Sequence, residues 1–265
     1  MRYIADHDFH IHSTVSRCCH DENQTPETIL NYAKENGLKR ICLTNHFWDD
    51  KVGSEAEWID EHDFSHVSSV LPLPKDDNVE FLFGCETEYV GQGRVALKKE
   101  SAELFDFVLV PPHHFHMKNF VRPLELEETE GICRLMKARF LEFCNIEFAF
   151  GIVHPFMVLG YPGRIDEILK VFSDADFRTV YSYAAEKNKS VEINICALYQ
   201  DVRLDSEGFP EEYLRMFTIA RECGCRFHLG SDAHDAERLA AERFDKAYRF
   251  AGKCGILFPE DPFKA

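Results

Sequence analysis

The sequence predicts an α/β fold in which about seven parallel strands form a closed or nearly closed TIM-like barrel. Strand-like and helix-like segments alternate throughout the chain, and repeated βα units produce a parallel sheet. The chain has 265 residues, of which 45% are hydrophobic, so it can build one sizeable core. No low-complexity linker or change in composition interrupts it, and we therefore expect a single domain over residues 1–265.

The predicted strands are short apolar runs, most of which end in a histidine or an acidic residue. They span residues 3–10, 40–46, 79–89, 105–113, 148–154, 191–195 and 226–232. The first strand leads into Asp8-Phe9-His10-Ile11-His12. Because side chains on a strand alternate with period two, His10 and His12 are expected to point the same way.

Helical patterns fill the intervals between these strands. Thr25 is a favourable N-cap and Pro26 suits the first helical position, and Gly37 is placed to end that helix. Later helices are predicted over residues 124–145 and 211–223, with further helical segments up to residue 188.

Two further segments complete the predicted secondary structure. Asp235 is expected to cap a last helix that runs to residue 251 and ends at Gly252. Residues 49–70 are acidic, and with Trp48 and Trp58 they predict either an ordinary helix or loop, or a lid over a site.

Composition and charge exclude several classes of protein. The formal net charge of −16 argues against an extended nucleic-acid-binding surface, which needs a broad basic face. No apolar run approaches the ~20 residues that cross a bilayer, and the first residues lack a basic and then apolar signal pattern. We therefore expect a cytoplasmic protein without membrane contact. Its ten cysteines include no CxxC pair, which is typical of reduced core residues.

Metal-ligating residue types recur at the predicted strand ends. The carboxyl ends of barrel strands meet at one rim, where function is built, so these side chains should converge. Ordinary hydrogen-bonded histidines would explain one or two of them but not the whole set. The set comprises His10, His12, His46, Glu86, Glu88, His113, His114, His154, Asp232 and His234.

This number of donors predicts more than one metal ion, because a catalytic zinc takes about three protein ligands. We expect two or three divalent ions, and the imidazole-rich set favours Zn, Mn or Fe over Mg or Ca. Glu86 is placed to bridge adjacent ions, which a carboxylate can hold about 3.5–4 Å apart. Glu88 shares its side of the strand but lies farther out, so it should support a ligand or face solvent.

The motifs of the chain resemble those of the PHP family, named for polymerase and histidinol phosphatase. The resemblance covers essentially the whole chain and implies a distorted seven-stranded (βα)7 barrel with a trinuclear metal site. Its specific parts are HxH, at His10 and His12, and GSDAH, at residues 230–234. The weaker matches are Thr44-Asn45-His46 for TDH, Gly84-Cys85-Glu86 for GxE, Pro111-Pro112-His113 for SVH, and His154-Pro155 for HP.

The resemblance also implies a ligand set for each ion. The first ion would take His10, His12, Glu86 and Asp232. The second would take Glu86, His113 and His154. The third would take a residue of the loop after HxH together with His46 and His234. His20 is favoured over Asp21 for that place. Asn45 replaces the usual aspartate of the second motif and would orient an imidazole as a neutral group.

The resemblance and the expected ions both point to phosphoester hydrolysis. Our hypothesis is that a hydroxide bridging the ions attacks phosphorus in line, with Glu86, Asp232 and His234 nearest the reaction. Arg17 and Arg164 follow strand-end motifs and are the candidates to grip phosphate oxygens, although each is equally consistent with a solvated surface arginine. His114 and His116 are loop candidates to contact the substrate and protonate the leaving alcohol, although the pattern favours the alternative that each is a bystander.

The expected substrate and partner is a small phosphomonoester, in the manner of histidinol phosphate. One alternative is a PHP phosphoesterase or exonuclease that acts on nucleotides or short oligonucleotides. An alternative of another class is a non-catalytic PHP module that keeps its metals for stability or partner binding. Metal analysis together with a phosphatase assay discriminates between these classes.

Overall fold

The computed structural model describes residues 6–52, 62–117, 121–123, 125–161 and 163–258. The strands are β1 (His7–Ile11), β2 (Arg40–Leu43), β3 (His46–Phe47), β4 (Glu80–Phe83), β5 (Cys85–Thr87), β6 (Tyr89–Gly91), β7 (Arg94–Val95), β8 (Val108–Val110), β9 (Gly151–Ile152), β10 (Ser190–Asn194) and β11 (Arg226–Gly230). The α-helices are α1 (Pro26–Glu35), α2 (Phe64–Val67), α3 (Lys99–Ala102), α4 (Thr129–Cys144), α5 (Ile165–Val171), α6 (Asp174–Glu186), α7 (Glu211–Glu222) and α8 (Ala241–Lys253). Short 3₁₀ turns span Ser68–Val70, Cys196–Tyr199 and Ala236–Leu239.

Nine of the described strands form two parallel sheets. A six-stranded sheet has the order β11-β10-β9-β8-β5-β3, and a three-stranded sheet has the order β1-β2-β4. Every strand pair in these sheets is parallel, as expected when helical crossovers join the strands. The predicted α/β fold with parallel strands is therefore confirmed. The short antiparallel pair of β6 and β7 is an addition that the sequence pattern does not predict.

Two of the predicted strands are each broken into two shorter ones. The strand predicted at 40–46 forms β2 and β3, and the strand predicted at 79–89 forms β4 and β5; in each case the two parts belong to different sheets. Gly84 lies at the second break, where an added Cβ would stand 2.8 Å from both the Cys42 Sγ and the Phe107 carbonyl oxygen. The neighbouring chains approach so closely that only glycine fits there.

Strand β1 also contacts the segment that follows β11. The backbone N–H of His12 donates to the Ala233 carbonyl at 3.0 Å, and that of Asp232 donates to the His10 carbonyl at 2.7 Å. The carboxyl ends of the first and last strands therefore lie side by side, and their HxH and GSDAH motifs meet.

The apolar packing has two parts. A large core cluster includes the buried faces of the helices, with Ile29 and Ala33 of α1 among its members. A second, smaller cluster is contributed by strands and strand ends of both sheets: Phe9, Cys42, Phe107, Leu109 and Val153. The strands are thus packed along their middles, and the polar residues of interest lie towards their carboxyl ends.

Most helix predictions are confirmed, with shifts at the ends. Thr25 caps α1, and its Oγ1 accepts the Thr28 N–H at 3.3 Å; Gly37 follows this helix with φ 67°. The helix predicted from residue 124 begins at Thr129, because the preceding residues form a turn in which the Leu126 N–H donates to the Pro123 carbonyl at 3.3 Å.

The last helix begins later than the sequence predicts. Asp235 caps only the 3₁₀ turn that follows it, and its Oδ1 accepts the Arg238 N–H at 2.9 Å. Ala240 is extended, with φ −64° and ψ 139°, so α8 starts at Ala241. The helix then continues through Gly252, which does not end it.

Three further expectations concern the whole chain. The predicted lid or helix around Trp58 falls on residues 53–61, which lie outside the described residues. In the described ranges, no helix is both long and apolar enough to cross a membrane. All ten cysteines are described, all are free, and eight of them are buried, as expected for reduced core residues.

Candidate metal centre

The two histidines of the HxH motif converge as predicted. The Nε2 atoms of His10 and His12 lie 3.0 Å apart. Both face the Glu86 Oε2, at 3.5 and 3.4 Å, and the Asp232 Oδ1, at 3.6 and 3.5 Å. All four donors predicted for the first ion are therefore gathered at one point.

Glu86 lies between the histidine groups and faces each with a different oxygen. Its Oε1 is 3.0 Å from the His154 Nε2 and 3.5 Å from the His114 Nε2, whereas its Oε2 is 3.1 Å from the His46 Nδ1. Although burial opposes ionisation, the surrounding imidazoles hold the pKa of Glu86 well below its usual range. The side chain is thus an ionised carboxylate with one oxygen for each neighbouring group.

The structure corrects the assignment of His113. Its Nδ1 accepts the Phe156 backbone N–H at 2.8 Å, and its Nε2 lies 3.0 Å from the Met136 carbonyl oxygen, to which it donates. Burial lowers the pKa of His113 to about 3, so the ring is neutral. Both ring nitrogens are engaged with backbone groups, and His113 does not belong to the donor groups that the described residues form.

His114 takes the place predicted for His113. Its Nε2 faces His154 at 3.1 Å, and its Nδ1 bonds to the Glu88 carboxylate at 2.8 Å. Although burial opposes it, the neighbouring His114 lowers the pKa of Glu88 to about 2. Of the two roles expected for Glu88, contact with solvent does not apply, because the side chain is buried. Glu88 instead orients the His114 ring.

A third donor group lies on the other side of His12. The ligand atoms of His12, Cys18, His46 and His234 are all within 4.8 Å of one another. His20, favoured for this place from the sequence, is instead exposed. Asp21 uses its carboxylate to accept the backbone N–H groups of Asn23 and Ala236, each at 2.9 Å. Cys18, which the sequence interpretation passed over, is the loop residue that reaches the group.

A buried carboxylate on β10 holds the first group in place. Glu192 is fully buried, and its Oε1 lies 2.7 Å from the His10 Nδ1, which turns the His10 Nε2 towards the centre. Its Oε2 accepts the His154 backbone N–H and the Asn194 Nδ2, which also reaches the Asp232 Oδ2 at 3.2 Å. The sequence analysis did not identify Glu192. The available signal was that Glu192 and Asn194 are polar residues two positions apart in an otherwise apolar predicted strand, so that both side chains lie on the same face.

Asn45 acts on an imidazole through a serine. Its Oδ1 accepts hydrogen bonds from the Ser13 backbone N–H at 2.8 Å and from the Ser16 hydroxyl at 3.0 Å. The same hydroxyl lies 3.1 Å from the His12 Nδ1 and accepts the His46 backbone N–H at 3.2 Å. The neutral Asn45 therefore fixes the loop that orients His12, in line with the role expected for it.

Two of the site residues are held in unfavourable backbone conformations. His154 has φ 31° and Asp232 has φ 52°, in the left-handed region that non-glycine residues rarely adopt. Such conformations persist where surrounding contacts over-determine them, which is typical of functional sites. Here the contacts are the carboxylate of Glu192 on the His154 backbone and the His10 carbonyl on the Asp232 N–H.

The donor groups lie at the base of a cleft of about 500 Å³. Arg238 and Arg243 line this cleft, whereas neither arginine proposed from the sequence is among its described lining residues. Arg164 instead bonds to Glu167 at 3.0 Å on its own helix, and Arg17 is an exposed loop residue. The two arginines proposed from the sequence therefore lie outside the described lining of the cleft, and the arginines that line it are the pair that follows the GSDAH motif.

The residues present fit divalent metal ions. Each of the three groups offers at least three nitrogen, oxygen or sulfur donors within coordination reach of a common point. Within the described residues, the buried Nδ1 atoms of His46 and His154 have no hydrogen-bond partner, and closely spaced imidazole nitrogens without a shared ion need protons between them. The donor chemistry thus fits a metal centre, and His12 and Glu86 connect its parts, because each belongs to two of the three groups.

The sequence of this chain is similar to those of proteins that are named as phosphatases. A protein named "Probable phosphatase" from Caldicellulosiruptor saccharolyticus is 26% identical over 226 residues, which cover 85% of this chain and 78% of the relative. A second protein of that name, from Aliivibrio fischeri, is 24% identical over 229 residues, which cover 86% of this chain and 77% of the relative.

The fold of this chain is similar to that of a solved structure. That structure is the histidinol phosphate phosphatase of Lactococcus lactis complexed with zinc, L-histidinol and phosphate, with TM-score 0.62 and 19% identity, covering 95% of this chain and 94% of the other. The family model described as the PHP domain matches residues 8–194. Because this match covers more than half of the chain, the chain belongs to the PHP domain family.

Proposed function

We propose that the chain is a metal-dependent phosphatase that hydrolyses a small phosphomonoester. The observation that carries the proposal is the placement of Glu86, whose two oxygens face separate imidazole groups at the base of a cleft. The names of the relatives and of the structural neighbour support the same reaction class. Divalent ions at such a site activate water and neutralise charge on phosphoryl oxygens.

The residues that would hold the ions follow from the donor groups. The first position has His10, His12, Glu86 and Asp232. The second has Glu86, His114 and His154. A third has His46 and His234 with a loop residue. The imidazole-rich sets suit Zn, Mn or Fe.

Arg238 and Arg243 are the groups that would bind the phosphate. Both line the cleft above the donor groups. Arg238 is oriented by Asp235 at 2.9 Å, and the Arg243 guanidinium lies over the Tyr199 ring at 4.2 Å. A guanidinium presents a planar fork that matches phosphate oxygens in a bidentate manner. The pair would orient the phosphoryl group towards the donor groups. Burial and the neighbouring His114 lower the pKa of His116, which lines the same cleft, to about 4, so this ring would be neutral near pH 7 and would not supply the proton for the leaving oxygen.

Cleft size and charge favour a small substrate. A volume of about 500 Å³ is in the range of pockets that enclose a small molecule. The formal net charge of −16 disfavours long nucleic acids, which are held by many cationic contacts. A mononucleotide remains within these limits and is the second candidate.

The test is a substrate panel on protein of measured metal content. Protein reloaded with zinc or with manganese is assayed on p-nitrophenyl phosphate, histidinol phosphate, sugar phosphates, nucleoside monophosphates and a phosphodiester. The expected result is turnover of monoesters and none of the diester. Absence of turnover on the whole panel at full metal content would favour the non-catalytic module instead.

The arginine assignment is tested in the same assay. Arg238→Ala and Arg243→Ala should each raise KM by about 10- to 100-fold, because each removes charged hydrogen bonds. Arg249→Ala is the matched control, since Arg249 lies on the same helix as Arg243 but pairs with Asp245 at 3.0 Å on the outer surface. An equal effect in all three variants would remove the arginine pair from the proposal.

We also infer that the two sheets form one ring of seven strands, if β2 with β3 and β4 with β5 are each counted as one strand. Support comes from the backbone hydrogen bonds between the end of β1 and the segment after β11, and from the parallel bridge of Ile11 with Ala233. The single domain and the cytoplasmic location stay predictions.

A further inference from the structure

We propose that the Cys18 thiolate is a ligand of the third metal position, together with His46 and His234. We infer further that this ligand makes the position select zinc or ferrous iron over manganese. The inference rests on the proposed metal-dependent function and deepens it, because it identifies the loop residue and the class of metal.

The geometry brings Cys18 to the group. Its Sγ and the ring nitrogens of His12, His46 and His234 all lie within 4.8 Å of one another, and Cys18 also lines the cleft. The His46 side chain is more than nine-tenths buried, and its Nδ1 lies 3.1 Å from the Glu86 Oε2 but makes no well-aligned hydrogen bond with a described residue. A polar atom so placed calls for a ligand.

The loop that carries Cys18 is fixed rather than free. Ser16 accepts the Cys19 backbone N–H at 2.8 Å and itself donates to the Ser13 carbonyl at 2.9 Å, which makes two successive tight turns. The Ser16 hydroxyl is tied to Asn45 at 3.0 Å and to the His46 backbone at 3.2 Å. Cys18 is therefore delivered to the histidines by turns that are anchored on the strand bearing His46.

Other donors of this loop are engaged elsewhere. Cys19 donates its thiol to the His234 carbonyl at 2.9 Å, and Asp21 accepts the backbone N–H groups of Asn23 and Ala236. His20 is exposed. Among the described residues of the loop, Cys18 is the donor directed at the imidazoles.

Sulfur changes which metals this position prefers. Thiolate is a soft ligand that suits Zn and Fe, whereas carboxylate and water suit Mn and Mg. The other two positions use imidazole and carboxylate and tolerate a wider range of metals. Replacing Cys18 by Asp keeps a negative ligand but makes it hard, and should move the preference of this one position towards manganese.

A cobalt spectrum tests the ligand directly and without substrate. Metal-depleted protein loaded with Co²⁺ should show a near-ultraviolet sulfur-to-cobalt charge-transfer band. Cys18→Ser should abolish this band, and Cys223→Ser should keep it. Cys223 is the matched control, because it and Cys18 are the two half-buried cysteines of the chain. Circular dichroism of each variant shows that it is folded.

Thiol reactivity gives a second readout. In Cys223→Ser protein, Cys18 is the one cysteine that is not buried, so it should react with a thiol reagent after chelation and be protected when zinc is restored. Cys18→Ser should lose one zinc per chain on dialysis, and Cys18→Asp should retain one manganese. Absence of the band together with equal thiol reactivity in both forms would overturn the proposal while leaving a phosphatase intact. A band in a protein that hydrolyses no monoester would instead remove the proposed function and leave Cys18 as a ligand.

Discussion

Glu86 is the residue on which the donor groups depend most. It is buried to 1% exposure, and its two oxygens face imidazoles from opposite sides. Glu86→Gln keeps the shape but replaces one oxygen with an amide nitrogen, which cannot ligate. We expect the variant to lose ions from both adjacent positions and to lose turnover, as measured by elemental analysis and by hydrolysis of p-nitrophenyl phosphate.

The control for this variant is Glu147→Gln. Glu147 is 82% exposed and pairs with Lys99 at 3.3 Å on the surface, so its loss should change neither quantity. Full metal occupancy in Glu86→Gln would show that Glu86 does not bridge the ions.

Glu192 contacts residues of the donor groups without belonging to any of the groups. Its carboxylate fixes the His10 ring by the 2.7 Å contact with Nδ1, and carboxylates in this position raise the basicity of a ligating imidazole. Glu192→Gln should weaken the affinity for zinc by about 10- to 100-fold, as measured by competition with a chelator.

A role limited to packing would give a different pattern for Glu192. In that case Glu192→Gln would lower the stability of the metal-free protein and leave its zinc affinity unchanged. Measuring both quantities on one preparation separates the two roles.

Sequence reasoning located the cluster of candidate metal ligands but not every member of it. His10, His12, Glu86 and Asp232 could be predicted because strand alternation fixes where their side chains point. His114 could not be distinguished from His113, since β8 ends at Val110 and the two prolines that follow end the alternation. Cys18 was missed because tight turns, which hydrogen bonds to Ser16 define, place it.

At the scale of single elements, helix α6 has the most complete N-terminal cap. The Ser173 hydroxyl and the Asp176 carboxylate satisfy each other's backbone N–H groups, and Lys137 bonds to Asp176 at 2.6 Å. Asp176→Asn should lower the free energy of unfolding by about 0.5–1 kcal/mol at neutral pH. Urea unfolding of the chelated protein measures this loss, with Asp174→Asn in the same helical turn as the control.

The effect of Asp176→Asn should depend on pH. The Lys137 ammonium and the Ser173 hydroxyl lower the pKa of Asp176 from 3.8 to about 2, so the folded state releases this proton more easily than the unfolded state. The stabilisation is therefore fully present above pH 3.8 and is lost as the pH falls towards 2. The difference between wild type and variant should narrow over that window, and a constant difference would contradict the ionic part of the argument.

The sequence predicted the type of each helix and strand better than the residues at which it begins and ends. All seven predicted strands exist, since short apolar runs between helical patterns are distinctive. Their ends depend on pairing: the run 79–89 breaks at Gly84 because of its close contacts with Cys42 and Phe107. The start of α8 likewise depends on the extended backbone of Ala240. The sequence gives no reason to expect this conformation, because alanine is a good helix former.

At the scale of the whole molecule, the donors join distant parts of the chain. They come from β1, β3 and β5 and from the segments after β8, β9 and β11, which belong to both sheets. Bound ions would therefore link the sheets. Because ions bind the folded state preferentially, chelation should lower the Tm by about 5–10 °C, as followed by circular dichroism.

The specificity of this effect can be checked in the Glu86→Gln variant. Its Tm should respond little to chelation, because it holds few ions to remove. An unchanged Tm of the wild-type protein on complete metal removal would show that the ions do not link the sheets.

The arginine pair at the cleft has a consequence for the release of product. In a chain with formal net charge −16, Arg238 and Arg243 form a small positively charged patch. Its attraction for anions extends over about 8 Å at physiological ionic strength. If the chain hydrolyses a phosphomonoester as proposed, inorganic phosphate that leaves these two arginines would meet a surface whose net charge has its own sign. Its rebinding would then be slowed, so the same charge distribution that hinders capture of a dianion would also favour release of the product.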